Sequence, residues 1–274
     1  MTSAPRTAEF YERNIISAFC PENIVPFING RMLFNKHLGF KKSLAELRSA
    51  ADEKFLKTER QFLLALARGL ESGALRPQCA LQFFRADAEG DTLNLYSADS
   101  AAPAASFAFP RIPGQPACLA DLAPQKKSGL TADVALFAAT AGHGYRTEAA
   151  RLTNEGGFVD SHLLNLAAIT CAEALAEAAQ RIAVPSAKNG FFDFSAVLAL
   201  TARPADTVGE LPPPVDGSRF SFGYPLCPDL SYQRALFALL DPRCIGVTLT
   251  ETFMMEPEAS VSGLIFPAAM PPSR

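Results

Sequence analysis

The chain has 274 residues, 49% apolar and 19% charged, with a formal net charge of −3 at pH 7. A chain of this length buries roughly three quarters of its unfolded surface, enough for one large domain or two small ones, which excludes a disordered tail. The acidic balance argues against a nucleic-acid partner, and no apolar run reaches the ~18 residues of a membrane span.

Residues 1–19 are expected to form an N-terminal arm, helical or loose, with Phe10, Ile15, Ile16 and Phe19 as its apolar stripe; Pro21 and Pro26 end it. This stretch lacks the apolar centre of a secretory signal, so the expected location is the cytoplasm. The domain proper is expected over residues 20–274. The basic residues at 36–42 read as a solvated helix entry. Ser43 and Glu46 have the spacing of a capping box and open a helix predicted to run to about residue 70, with Leu44, Leu47, Ala51, Phe55, Phe62 and Leu66 on one face and Gly73 just past its end. Residues 79–85 and 92–97 flank a turn-rich stretch and read as a hairpin, with a third strand at 105–110. Residues 130–141 read as a helix capped by Thr131. Residues 158–182 read as a long alanine-rich helix with Val159, Leu163, Leu166 or Ala167, Leu175 and Ala179 buried. Residues 184–218 look least ordered, apart from a packing element at Phe191, Phe192, Phe194, Val197 and Leu198 and a stiff connection at Pro212-Pro-Pro214. A short helix is predicted at 230–240 and a strand at 246–252, with 260–266 as its partner. Mixed blocks without repeated βαβ units favour an α+β fold with an antiparallel sheet.

Standard chemical motifs are scarce. No phosphate loop, dinucleotide glycine fingerprint or nucleophile elbow occurs. The cysteines at 20, 79, 118, 171, 227 and 244 form no Cys-x-x-Cys pair, and the histidines at 37, 143 and 162 are scattered, so neither a structural zinc nor a disulfide framework is expected. Gly142-His-Gly144 reads as a helix stop, and Glu251 and Glu256 flank a Met-rich stretch without a clear acid–base pairing. The segment that stands apart is Arg219-Phe-Ser-Phe-Gly-Tyr-Pro225. An arginine offers a planar fork for a carboxylate, a glycine lets backbone approach a ligand, and a tyrosine brings a ring face and a hydroxyl. A turn ahead of a capped helix explains the same residues, and on composition and spacing alone it is the plainer reading.

Taken in order, Val25-Pro-Phe27, the 83–96 hairpin with Gly90-Asp91, Phe107-Ala-Phe-Pro-Arg111, Leu119-Ala-Asp-Leu-Ala-Pro124, Ala172-Glu-Ala-Leu-Ala-Glu177, the 219–228 segment, Leu249-Thr-Glu-Thr-Phe253 and Ala259-Ser-Val-Ser-Gly263 resemble the activation domain of cobalamin-dependent methionine synthase over roughly residues 20–267. The resemblance implies a C-shaped α+β domain around a twisted antiparallel sheet, and S-adenosylmethionine as the ligand. It puts Arg219 on the methionine carboxylate, the Ser221 backbone near the adenine, and Gly223 and Tyr224 against the ligand. Glu173 matches an acid of the family's inner face, and Lys36 falls where the family has a lysine near the cobalamin-module interface. Asn23 stands where the family carries an aspartate that meets the ligand's ammonium, Ile169 replaces an interface aspartate, and Met255-Glu-Pro257 replaces Met-Trp-Pro.

No catalytic side chain is implied; the domain's contribution is proximity. No homocysteine, folate or cobalamin module is recognisable, so a stand-alone protein is expected, incomplete as an enzyme by itself. The function this implies is a reactivation subunit that binds S-adenosylmethionine and presents it to reduced cobalamin on a separate methionine synthase or corrinoid protein, with a flavodoxin-like protein as electron donor. The alternative is a non-catalytic module that binds a corrinoid protein and has lost the nucleoside, motivated by Asn23 and by the absence here of the family's C-terminal tyrosine strand.

Overall fold

The computed structural model describes residues 6–17, 19–115, 117–195, 197, 199 and 206–268. Its centre is a curled antiparallel sheet of seven strands. Strands β1 (Asn14–Ile16), β2 (Gln78–Glu89), β3 (Thr92–Tyr96), β4 (Ala105–Ala108), β5 (Ala132–Thr140), β6 (Ser218–Phe220) and β9 (Ser260–Phe266) run in the order β4-β3-β2-β5-β9-β6, and β1 also pairs with β2. The long β2 takes β1 along residues 79–81 and β3 along residues 85–89, while β5 lies along its other edge. Two further strands, β7 (Thr248–Leu249) and β8 (Met255–Glu256), make a separate ribbon.

Residues 130–141 are therefore the central strand, not a helix. Ala135, Phe137 and Ala139 enter the core on one face of the sheet, and Val134, Leu136 and Ala138 enter the core on the other. A strand buried on both faces reads as an unbroken apolar run, and such a run has no period to tell it from a buried helix. Consequently Gly142-His-Gly144 follows a strand and opens helix α4 (Gly144–Asn154).

The helices α1 (Pro21–Ile24), α2 (Leu44–Ser49), α3 (Glu53–Ser72), α4 and α5 (Phe158–Asn189) form the layer on one face. The capping box forms as expected, with Ser43 and Glu46 exchanging hydrogen bonds of 2.8 and 3.2 Å. The helix it opens ends at Ser49, however, because Ala51 takes φ 47° and Asp52 caps a new helix through the Phe55 amide (2.9 Å). Gly73 closes α3 as anticipated. Helix α5 runs past residue 182 and through Pro185, with the Ser186 hydroxyl donating to the Ile182 carbonyl. Its alanines at 167, 168, 174, 176 and 179 and its Cys171 let it lie close on the sheet, although Val159 is exposed.

Among its described residues the N-terminal arm has no helix beyond a single 3-10 turn (Ala8–Tyr11) before it becomes β1. Phe10 is buried and stacks on Phe83 with ring centroids 4.4 Å apart, which fastens the arm to the sheet. Helix α6 (Gln233–Leu240) and the 3-10 turn Leu119–Leu122 cover the opposite face. The Tyr232 hydroxyl ties the start of α6 to both backbone groups of Ala108 at 2.8 and 2.9 Å. The expected pairing of 246–252 with 260–266 does not occur: β7 pairs with β8, and β9 inserts between β5 and β6. Of the packing element expected after 184, Phe192 packs on the core, while Leu198 lies outside the described residues.

All six cysteines are free thiols. Burial pushes the Cys79 and Cys171 thiols up to about 12, and burial with the nearby Asp229 does the same to Cys227. Iodoacetamide at about pH 8 is therefore expected to alkylate the exposed Cys20 and Cys244 and to spare the four buried thiols until urea is added. Intact-mass measurement of native and unfolded protein checks this; four or more adducts on folded protein would contradict the packing.

Candidate functional site

Strand β6 is short and rests wholly on β9, with Arg219 opposite Ile265. Beyond it the chain turns back at once. The Gly223 amide donates to the Cys227 carbonyl and the Cys227 amide to the Tyr224 carbonyl, both at 2.8 Å. Gly223 holds φ +90°, which an L side chain rarely adopts, and its missing Cβ leaves room for Leu230. The turn pushes Tyr224 outward, leaving it 65% exposed.

Tyr224, Ser221 and Phe222 line a groove of about 270 Å³. Ser260, Val261 and Ser262 of β9 line it too, together with Met254, Met255, Glu258 and Glu173 of α5. The buried Gln233 of α6 braces it: its amide oxygen accepts from the Ser262 hydroxyl (2.9 Å) and its amide nitrogen donates to the Phe253 carbonyl (2.8 Å). The 250–254 loop is further fixed by the Met254 amide donating to the Thr250 hydroxyl (3.1 Å), which leaves Met254 exposed at the rim.

Of the residues singled out from the sequence, Glu173, Ser221 and Tyr224 thus share one groove, with Gly223 in the turn between Phe222 and Tyr224. Arg219 is not a lining residue. Its guanidinium turns toward α5, at 3.9 Å from both Glu173 and Glu177 and 3.4 Å from the Gln180 amide oxygen, and it lies over the Phe137 ring. Asn23 also lies outside the lining; its side-chain oxygen accepts from the Cys20 amide and caps α1. Lys36 sits on the wide turn Met32–His37 and lines a different, basic groove of about 830 Å³ with Arg31, Lys41, Lys42 and Glu210. Sequence reasoning missed Gln233 and Glu258 as site residues. The Met-rich stretch beside Glu256 was the visible signal for Met254 and Met255, whereas Glu251 stays outside the lining. Among the described residues no cluster of three His, Cys, Asp or Glu suits a metal ion, and no helix is long and apolar enough to cross a membrane.

The family described as "Vitamin B12 dependent methionine synthase, activation domain" matches residues 22–272. The chain is 47% identical over 49 residues to a methionine synthase of Mycobacterium tuberculosis (strain ATCC 25618 / H37Rv), a stretch covering 18% of this chain and 4% of that protein. It is 44% identical over 55 residues to a methionine synthase of Mycobacterium leprae (strain TN), covering 19% and 5%. The matched stretches are thus a small part of both relatives. Among solved structures, "Crystal Structure of the MetH Reactivation Domain bound to AdoHcy" superposes with a TM-score of 0.75 at 20% identity, over 99% of this chain and 82% of that one, and so shares the fold.

Proposed function

The chain belongs to the vitamin B12-dependent methionine synthase activation-domain family, and on that premise we propose that the Tyr224 groove binds S-adenosylmethionine and that the protein presents it to reduced cobalamin carried by a separate methionine synthase or corrinoid protein. The observation that carries the reading is the convergence of Ser221, Tyr224 and Glu173 on one groove, although Glu173 lies far from the other two in the chain. A solved neighbour of the same fold holds AdoHcy, the demethylated form of this ligand.

The donor set fits. Tyr224 offers a ring face for a nucleoside, the backbone at Ser221 offers a donor and an acceptor for an adenine edge, and two carboxylates suit a cationic sulfur. The groove is smaller than the roughly 300–1,000 Å³ typical of pockets that enclose a ligand, so the bound nucleoside stays partly exposed, as a methyl donor to a second protein must. The ligand supplies the methyl group and the partner's cobalamin supplies the nucleophile. This chain's residues hold the donor in place, and that proximity is their contribution. Arg219 is proposed as the carboxylate anchor; it lies outside the lining but 3.9 Å from Glu173, which is part of it. The basic groove around Lys36 is proposed as part of the face toward the cobalamin-bearing partner and the flavodoxin-like electron donor.

Isothermal titration calorimetry with S-adenosylmethionine is the test. Binding is expected to the native protein, and Arg219→Ala is expected to weaken it about ten- to a hundredfold, the effect of losing a charge-assisted contact of about 1.5–3 kcal/mol. Absence of heat at millimolar ligand with folded protein would remove the reading. The second reading, a corrinoid-binding module without the nucleoside, draws on Arg219 facing the α5 carboxylates instead of lining the groove. It predicts capture of a corrinoid protein that is indifferent to Arg219→Ala.

A further inference from the structure

The basic residues at 36–42, which the sequence presents as a solvated helix entry, line a concavity. The groove of about 830 Å³ beside the wide turn Met32–His37 has Arg31, Lys36, Lys41 and Lys42 in its lining, against one carboxylate, Glu210. Among the described residues none of these four cations is in an ion pair. Glu46, the nearest carboxylate along the chain, is spent on the α2 cap, where it accepts from the Ser43 amide and hydroxyl at 2.8 and 2.7 Å. The hollow keeps its shape without help from the charges. Asn35 Nδ2 donates to the carbonyls of Phe40 and Lys42 at 2.7 and 2.8 Å, and the Phe40 amide donates to the Phe34 carbonyl at 2.9 Å. Gly39, at φ +75°, makes the reversal. The segment carrying Lys41 and Lys42 is thereby folded back on the turn that carries Lys36, so both line one space.

We propose that this groove is a second ligand site, for an oligophosphate: a chain of two or three phosphates, free or carried on a small organic body. The proposal goes beyond the nucleoside reading of the Tyr224 groove and does not depend on it. A concavity lined by one sign of charge focuses its field and concentrates counter-ions. Guanidinium forks and lysine point charges are the groups that bind phosphate oxygens. A single phosphate carries about −1.5 to −2 at pH 7 and meets only part of this lining, whereas a chain of two or three reaches all four cations. The volume falls within the roughly 300–1,000 Å³ of small-ligand sites. An acidic protein surface would meet the outer lysines and leave the hollow unfilled. Met32 and Phe40, also in the lining, give an organic body an apolar edge to lie against. An oligophosphate seated here cancels the positive charge that the groove shows to a docking protein, and so competes with the partner face proposed above.

The experiment is calorimetry on the full chain with inorganic tripolyphosphate, pyrophosphate and orthophosphate at about 150 mM salt. Tripolyphosphate is expected to bind with a Kd below about 100 µM, and orthophosphate at least about tenfold more weakly. Lys36→Ala combined with Lys41→Ala should weaken tripolyphosphate at least about tenfold, the loss of two charge-assisted contacts at exposed positions. Glu210→Gln, which removes the one carboxylate of the lining, should strengthen it about two- to fivefold. Lys57→Ala, an exposed lysine of α3 outside the lining, should change it by less than about twofold. All of these side chains are exposed, so the variants are expected to melt with the native protein. A Kd above about 1 mM for all three phosphates overturns the proposal, as does a loss in Lys57→Ala equal to that in the double variant. A hexaglutamate peptide that binds where tripolyphosphate does not also overturns it, and leaves the groove to an acidic protein surface.

Discussion

Alanine at Gly263 is expected to detach β6 from the sheet. A Cβ on residue 263 would collide with the Phe220 carbonyl oxygen, and it would stand 2.9 Å from the Phe220 carbonyl carbon and 3.1 Å from the Ser221 Cα, all rigid backbone. Strand β6 has three residues and, among the described residues, pairs with β9 alone, so no second strand holds it while the backbone yields. Overpacking of this kind costs about 1–3 kcal/mol, and the loss of β6 pairing places Gly263→Ala at the upper end. That corresponds to a fall in Tm of about 5–10 °C for a chain of this size. Because β6 carries Arg219 and leads into Ser221 and Tyr224, nucleoside binding should fall at least tenfold even where the protein stays folded. Gly209→Ala, where an added Cβ meets nothing within 4 Å, is the matched control and should leave both readouts within error. A Gly263→Ala protein that melts with the native one and binds normally would refute the packing at β6.

Arg181→Met is expected to destabilise the protein by about 3–5 kcal/mol, the cost of breaking a buried ion pair from one side. The Arg181 side chain is only 5% exposed and pairs with Glu177 at 2.8 Å. The same Nη2 donates to the carbonyls of Pro212 and Pro213 at 3.0 and 3.1 Å, and Nε donates to Glu177 at 2.9 Å. One guanidinium thus fastens the proline-rich connection to α5 just before the chain enters β6. Methionine fills much of the volume but leaves two carbonyls and the poorly exposed Glu177 without their donor. Among the described residues Glu177 then retains just the long 3.9 Å contact with Arg219, so the variant should also hold Arg219 more firmly against α5 and weaken carboxylate binding. Urea unfolding measures the first effect and calorimetry the second. Pairing Arg181→Met with Glu177→Leu should recover part of the stability, because it removes the stranded charge together with its partner. A single variant as stable as the native protein would mean that the connection is held elsewhere.

Local chemistry was readable from the residues. Ser43 and Glu46 announce a cap that forms, Gly73 announces a helix end that occurs, and Gly90-Asp91 announces a hairpin whose strands pair from Glu89 and Thr92 outward. In each case the determining groups lie within a few residues of one another, so no tertiary information is needed. The reading of 130–141 failed because a strand covered on both faces loses its alternation, and the helix opened by Ser43 was read too long because nothing local marks Ala51 as a break.

The candidate site divides in the same way. The Arg219-x-x-x-Gly-Tyr segment stands out in the sequence as a piece of unusual chemistry, and its order among the other segments was enough to indicate the family and the α+β fold. What the chain alone does not disclose is which side chains share a groove. The insertion of β9 between β5 and β6 brings Ser260 to Ser262 into the same lining as Tyr224, α6 contributes Gln233, and the tilt of Arg219 toward Glu173 and Glu177 takes it out of the lining. Those placements depend on contacts between segments tens of residues apart. Turns and caps are settled by short-range hydrogen bonds that a sequence pattern records, whereas the meeting of distant walls is settled by how the whole sheet and its helices pack, and only the folded chain expresses that.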